Sequence, residues 1–145
     1  MCMYSVARGP CDGTPLPQYM DTPDREPAVT MMDWRNCNGT AKYWTLQLLL
    51  DYTAIGDSFV TTAVNSSTVY AQGYLHSVGG GDERLVVLIN KQDALASVTV
   101  DMATACIADV VDTATNQDPP RRDTYPTVCT VNLGPYAIAI VRLLP

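Results

Sequence analysis

The stretch Lys42 to Tyr52, KYWTLQLLLDY, constrains the fold more than any other. Trp44, Leu48 and Tyr52 recur at i, i+4 and i+8, the spacing of one helical face. Leu46, Leu49 and Leu50 widen that face well beyond an ordinary amphipathic stripe. A helix this apolar wants cover on more than one side. After Gly56-Asp57 the chain offers only short strands and turns, so the cover must include a sheet.

Seven candidate strands follow the helix. The first is Ser58–Val64. In the second, Val69, Ala71, Gly73 and Leu75 alternate with Tyr70, Gln72, Tyr74 and His76, the period of a half-buried strand. Gly79-Gly80-Gly81-Asp82 reads as a turn. Leu85–Ile89 is continuously apolar, hence central. Ala96–Met102 alternates, Cys106–Val111 is the fifth strand, and the polar stretch Thr113–Thr124, with Pro119-Pro120, reads as a loop. Cys129, Val131 and Leu133 alternate, and Gly134-Pro135 turns the chain into Tyr136–Leu143. Short strands spaced by turns are the mark of an antiparallel sandwich.

Ahead of the helix, Ala28–Met32 is a short apolar run behind Pro27. It does not alternate, as a strand buried on both faces in a parallel sheet would not. Asn38-Gly39-Thr40 turns the chain, with Thr40 or Asn38 as helix N-cap. Residues 1–27 carry Pro10, Pro15, Pro17, Pro23 and Pro27 and read as a long loop. A lone parallel-type strand with its helix cannot make a sheet, so its partners are expected ahead of Met1. The fold class expected is mainly β: an antiparallel sandwich of about seven strands over 57–145. Before it, 1–56 holds the loop and one strand–helix unit at 28–32 and 41–52.

Hydrophobic residues make up 47% and charged residues 17%, an ordinary globular balance. No apolar run reaches the ~18 residues of a membrane span. Residues 1–10, MCMYSVARGP, lack the apolar stretch of a signal peptide. Net charge is −6, and the only basic cluster, Arg121-Arg122, sits beside Asp118 and Asp123. That is not the concentrated positive footprint of a nucleic-acid binder. The five cysteines, Cys2, Cys11, Cys37, Cys106 and Cys129, form no CxxC pair, so neither metal nor cofactor is expected. The sequons at Asn38 and Asn65 are compatible with secretion.

The run PAVTMMDWRNCNGTAKYWTLQLLLDY, followed by GDSFV, VYAQGYL, RLVVLINKQD, ADVVDTATNQDPP and LGPYAIAIVRL, resembles the C-terminal end of a clan A glycoside hydrolase of the family 39, 51 and 79 type. The resemblance covers roughly residues 27–144. It implies that Ala28–Met32 is the eighth strand of a (β/α)8 barrel and Lys42–Tyr52 the eighth helix. The remainder would be an accessory sandwich that packs on the barrel. The parent is expected to be a secreted, extracellular or lysosomal enzyme acting on carbohydrate.

Such enzymes hydrolyse glycosidic bonds with two carboxylates, about 5–5.5 Å apart when configuration is retained. The chain holds only Glu26 and Glu83, and neither matches a motif position. No catalytic residue is therefore assigned, and the isolated chain is expected to be inactive. The resemblance does place an aromatic residue of the sugar platform at the end of the eighth strand, which Trp34 matches. An indole offers an apolar face to the C–H side of a sugar and an N–H to its hydroxyls. Asp33 is the neighbouring candidate for a sugar hydroxyl, or for a loop and helix-start role.

The competing reading is a stand-alone β-sandwich module for carbohydrate binding or adhesion. Tyr70, Tyr74 and Tyr136, if exposed, would form its glycan-binding stripe. His76, Ser77 and Asp82 spell triad letters only, and an exposed His76 is expected because adjacent strand residues face opposite ways. Cys106 and Cys129 fall on strands expected to be hairpin neighbours, as a disulfide or as buried thiols.

Overall fold

The computed structural model describes residues 31–33, 38–78, 81–101, 105–115 and 117–144. The chain is mainly β, with one α-helix among the described residues. Two short strands, β1 (Met32–Asp33) and β2 (Asn38–Gly39), lead into α1 (Ala41–Tyr52). Eight strands follow: β3 (Ser58–Val60), β4 (Val69–Val78), β5 (Gly81–Asn90), β6 (Ala96–Thr99), β7 (Cys106–Val111), β8 (Arg121–Tyr125), β9 (Thr130–Leu133) and β10 (Ile138–Leu143).

Six of these strands form one antiparallel sheet in the order β3-β4-β5-β10-β7-β8, and β6 pairs with β9 in a second, two-stranded sheet. The most apolar strands, β5 and β10, are central, and each is covered on both faces. Side chains alternate along a strand, so one set of β10 residues meets the small sheet and the other meets α1. Ala139 and Val141 join Val69, Val86, Leu88, Ala108, Val110, Val131 and Leu133 in the core facing β6 and β9. Ile140 joins Tyr74, Leu85, Val111 and Leu48 in the core beneath the helix, with Trp44, Leu49 and Tyr52 at its margin. The order of layers is helix, six-stranded sheet, two-stranded sheet.

The disulfide Cys106–Cys129, with Cα atoms 5.4 Å apart, links β7 to the residue before β9. The two cysteines are therefore not hairpin neighbours: β7 lies between β10 and β8, and the bond crosses from one sheet to the other. Buried Asn90 at the end of β5 ties the same side together. Its amide donates to the carbonyls of Ala94 and Gly134, both at 2.7 Å.

The helix starts at Thr40, whose hydroxyl accepts from the Tyr43 amide at 3.5 Å and donates to the Met31 carbonyl at 3.3 Å. Met32–Asp33 pairs antiparallel with Asn38–Gly39, so this strand has a local partner where a lone parallel strand was expected. Met31 is exposed, not buried on two faces. Residues 28–30 lie outside the described residues.

Several expected strands are shorter or longer at their ends. Ser58–Val64 keeps only Ser58–Val60, and of Ala96–Met102 the strand is Ala96–Thr99, with Met102 outside the described residues. The polar stretch expected to be a loop contains a strand, Arg121–Tyr125, paired with β7 at the sheet edge. Edge strands bear charge because one backbone side faces solvent. The turn expected at Gly79-Gly80-Gly81-Asp82 joins β4 to β5, but Gly81 and Asp82 are already on β5, and 79–80 lie outside the described residues.

Candidate functional site

The N-terminal end of α1 is built by two segments distant in sequence. Asn38 and Gly39 on β2 approach it from one side. The turn after β7 brings Gln117, Asp118 and Pro119 from the other. That turn is shaped by Asp112, whose carboxylate accepts from the amides of Ala114 at 2.9 Å and Thr115 at 3.0 Å. The Thr115 carbonyl then accepts from the Asp118 amide at 2.7 Å. Arg121 on β8 donates to Asp112 at 3.1 Å, so the edge strand braces the turn.

Between these segments lies a cavity of about 340 Å³ lined by Asn38, Gly39, Tyr43, Trp44, Gln117, Asp118 and Pro119. Tyr43 and Trp44 meet edge to face, their ring centres 4.9 Å apart and their planes 77° apart. The Trp44 indole donates to the Gln117 carbonyl at 2.9 Å, and the Asn38 amide donates to the Gln117 side-chain oxygen at 3.3 Å. Gly39 is the residue that allows this close fit: a Cβ there would stand 2.4 Å from Tyr43 Cδ1 and 3.1 Å from Trp44 Nε1.

The C-terminal end of α1 is fixed by charge. Arg122 grips Asp109 with two bonds of 2.7 Å, in the forked geometry that suits guanidinium and carboxylate. Tyr52 donates to Asp109 and accepts from Arg122 at 3.0 Å. Burial opposes the Asp109 charge, yet the Arg122 and Tyr52 hydrogen bonds outweigh it and hold the carboxyl below its ordinary range. The Tyr52 hydroxyl is pushed up by burial and by donating to Asp109. Tyr74, pushed up to about 12 chiefly by burial, donates to the Tyr52 carbonyl at 3.1 Å.

Beyond the helix, His76 contacts both oxygens of Asp57 at 2.9 and 3.0 Å. The Ala54 amide, at 2.8 Å, is the main influence holding Asp57 below its ordinary range.

These observations place the sequence candidates. Asp33 is on β1 in register with Asn38. Trp34 lies outside the described residues, as does Glu26. Glu83 is on β5 opposite His76, 3.8 Å from Arg142. Neither His76 nor Tyr74 is exposed: the His76 side chain keeps 13% of its surface and Tyr74 only 2%. Tyr74 is covered by α1, and His76 is held by Asp57 of the link that follows that helix, on the face that alternation alone assigns to solvent. Tyr70 and Tyr136 are exposed, so the tyrosine stripe is broken at its middle member. Among the described residues, no group of three or more His, Cys, Asp and Glu could hold a metal ion. No described helix is long and apolar enough to cross a membrane. Nothing in the sequence joined Tyr43, Asn38, Gln117 and Asp118 as one lining, because only the fold brings them together.

No protein-family model matches the chain, and no curated protein does. Among solved structures it is distantly similar to isomaltulose synthase (PalI) from Klebsiella sp. LX3. The identity is 22% and the TM-score 0.39, over 60% of this chain and 14% of that one. The chain thus spans a small part of the protein it resembles.

Proposed function

We propose that this chain is the non-catalytic C-terminal portion of a glycoside hydrolase, its sandwich bracing the wall of a (β/α)8 barrel. One observation carries the reading. The helix α1 buries Leu48 against its own sheet but leaves Leu46 and Leu50 exposed, Leu50 by 73%. Phe59, 80% exposed, stands opposite Tyr74 on β4, on the helix side of the sheet. Exposed Ile55 lies in the link between them. Large apolar side chains left in water on the helix, on the link after it and on an edge strand support a surface meant to be covered. A barrel neighbour of α1 would cover it.

The sugar chemistry of the parent rests on the sequence resemblance to the clan A, family 39, 51 and 79 type. On that reading the parent works outside the cell or in a lysosome, and its two carboxylates are supplied by a segment ahead of this one. Reading the transcript upstream of the Met1 codon tests this. A barrel-coding frame continuous with the chain is expected, and a stop codon there would overturn the proposal. The purified chain is expected to leave aryl glycosides intact. Turnover that survives replacement of both Glu26 and Glu83 would contradict the division of labour.

A second reading has its own observation. A free β-sandwich module with an apolar helix must bury that helix on its own sheet, and the Leu48 face of α1 is so buried. The exposed Leu46 and Leu50 on the outer side of α1 support the bracing role.

A further inference from the structure

The cavity at the N-terminal end of α1 has the chemistry of a small-ligand site. We propose that it binds a neutral sugar ring, held by Tyr43 and Trp44 and by the polar groups of Asn38, Gln117 and Asp118. Its volume, about 340 Å³, falls at the lower end of the range for ligand pockets.

The lining is mixed in a particular way. Tyr43 and Trp44 present apolar ring surface in two nearly perpendicular planes. Such surface takes the C–H face of a sugar. The indole bond to the Gln117 carbonyl fixes the Trp44 ring before any ligand arrives, which reduces the ordering cost of binding. Asp118 brings acceptors, and the amides of Asn38 and Gln117, bonded to each other, make the polar wall beside it. Hydroxyl groups, which donate and accept, complement that set. Among the described residues the lining carries a carboxylate, Asp118, and no Lys or Arg, which favours a neutral ligand over an anionic one. Gly39 lets Tyr43 lie against the backbone, so the aromatic wall depends on the absence of a side chain there.

The inference rests on the glycosidase reading only for preferring a sugar over another neutral polyhydroxyl compound. It extends that reading by giving this segment a sugar contact of its own, whatever the barrel does.

The test is an NMR titration of the full oxidised chain with glucose, galactose, mannose, xylose and their β-linked disaccharides. The readout is the indole N–H signal of Trp44, assigned with Trp34→Phe. A saturable shift is expected for at least one sugar, with Kd on the order of 1 mM. Tyr43→Ala should weaken it about tenfold or more, which corresponds to the loss of one strong contact. Asp118→Ala, on an exposed turn, should weaken it with the circular dichroism spectrum unchanged. Tyr70→Ala should leave it intact.

No shift in a folded chain at about 100 mM sugar, two decades above the expected Kd, overturns the site. So does a shift that persists in Asp118→Ala and Tyr43→Ala or that disappears in Tyr70→Ala. The two proposals fail separately. Sugar binding without a barrel frame upstream sinks only the parent, and a barrel frame without sugar binding sinks only this pocket.

Discussion

Asp109 shows how one residue can hold a helix to a sheet. It is nearly inaccessible, while its partner Arg122 keeps 60% of its side-chain surface. Removing either partner therefore has unequal consequences. Asp109→Asn keeps an acceptor for Tyr52 and frees Arg122 into water, so it should cost about 1–2 kcal/mol, the scale of a weakened charged hydrogen bond. Arg122→Ala leaves a buried carboxylate with Tyr52 as its remaining named partner, and should cost about 3 kcal/mol, the low end for a broken buried pair. Urea melts of the two variants check the order. The pH dependence follows from the depressed Asp109 pKa. Its contribution is present above the unfolded carboxyl value of about 3.9 and is lost as pH falls through the lower folded value. Arg122→Ala raises the folded value, so the stability lost on acidification through this window should be smaller than in the unsubstituted chain, which urea melts at neutral and acid pH check. At this same scale the sequence was misleading about Tyr74 and His76. Their alternation with Val69, Ala71, Gly73 and Leu75 is correct, but alternation identifies two faces and not which of them meets water. Here the second face meets α1, and the bond from Tyr74 to the Tyr52 carbonyl exists only because that helix folds back.

Among the elements, the strands with a one-sided or fully apolar pattern were legible and β8 was not. RRDTY behind Pro119-Pro120 has charge on both faces. Arg122 points to Asp109, and Arg121 reaches Asp112 and Asp123. A strand stabilised by ion pairs to its neighbour carries no hydrophobic period to read. The sandwich pairing was likewise hidden: nothing in CTVNL says that β9 leaves the main sheet to pair with β6. The disulfide adds a covalent link to the apolar contact between this small sheet and the large one, with a sequence separation of 23. Restricting such a loop in the unfolded chain is worth about 3 kcal/mol. The double variant Cys106→Ala/Cys129→Ala should lower the stability of the chain by about 2–4 kcal/mol. Thermal melts with and without reductant provide the check: reductant should lower the Tm of the parent chain and leave that of the double variant unmoved. Equal shifts in both would mean that the bond does not carry the inter-sheet contact.

For the molecule as a whole, the three layers leave one side unfinished. The six-stranded sheet is covered on one face by β6 and β9 and on the other by α1. Among the described residues, no layer lies above the helix. Leu50, Ile55 and Phe59 are exposed, and none of them belongs to either core among the described residues. A substitution there separates folding from docking. Leu50→Glu and Phe59→Glu together remove apolar surface already in water, so chain stability should change by less than about 0.5 kcal/mol, as for surface sites in general. Leu48→Ala, one helical position pair away but buried, should cost about 2–5 kcal/mol. If the strip is the seat of a barrel, the purified chain should self-associate through it, and the double Glu variant should sediment as a monomer at concentrations where the parent chain does not. In the full-length protein, the same variant should expose the link between barrel and sandwich to limited proteolysis while both parts stay folded. A double Glu variant that melts like Leu48→Ala would instead place Leu50 and Phe59 in the chain's own core. One that changes neither association nor proteolysis would return the helix to a free module whose apolar outer face has no partner.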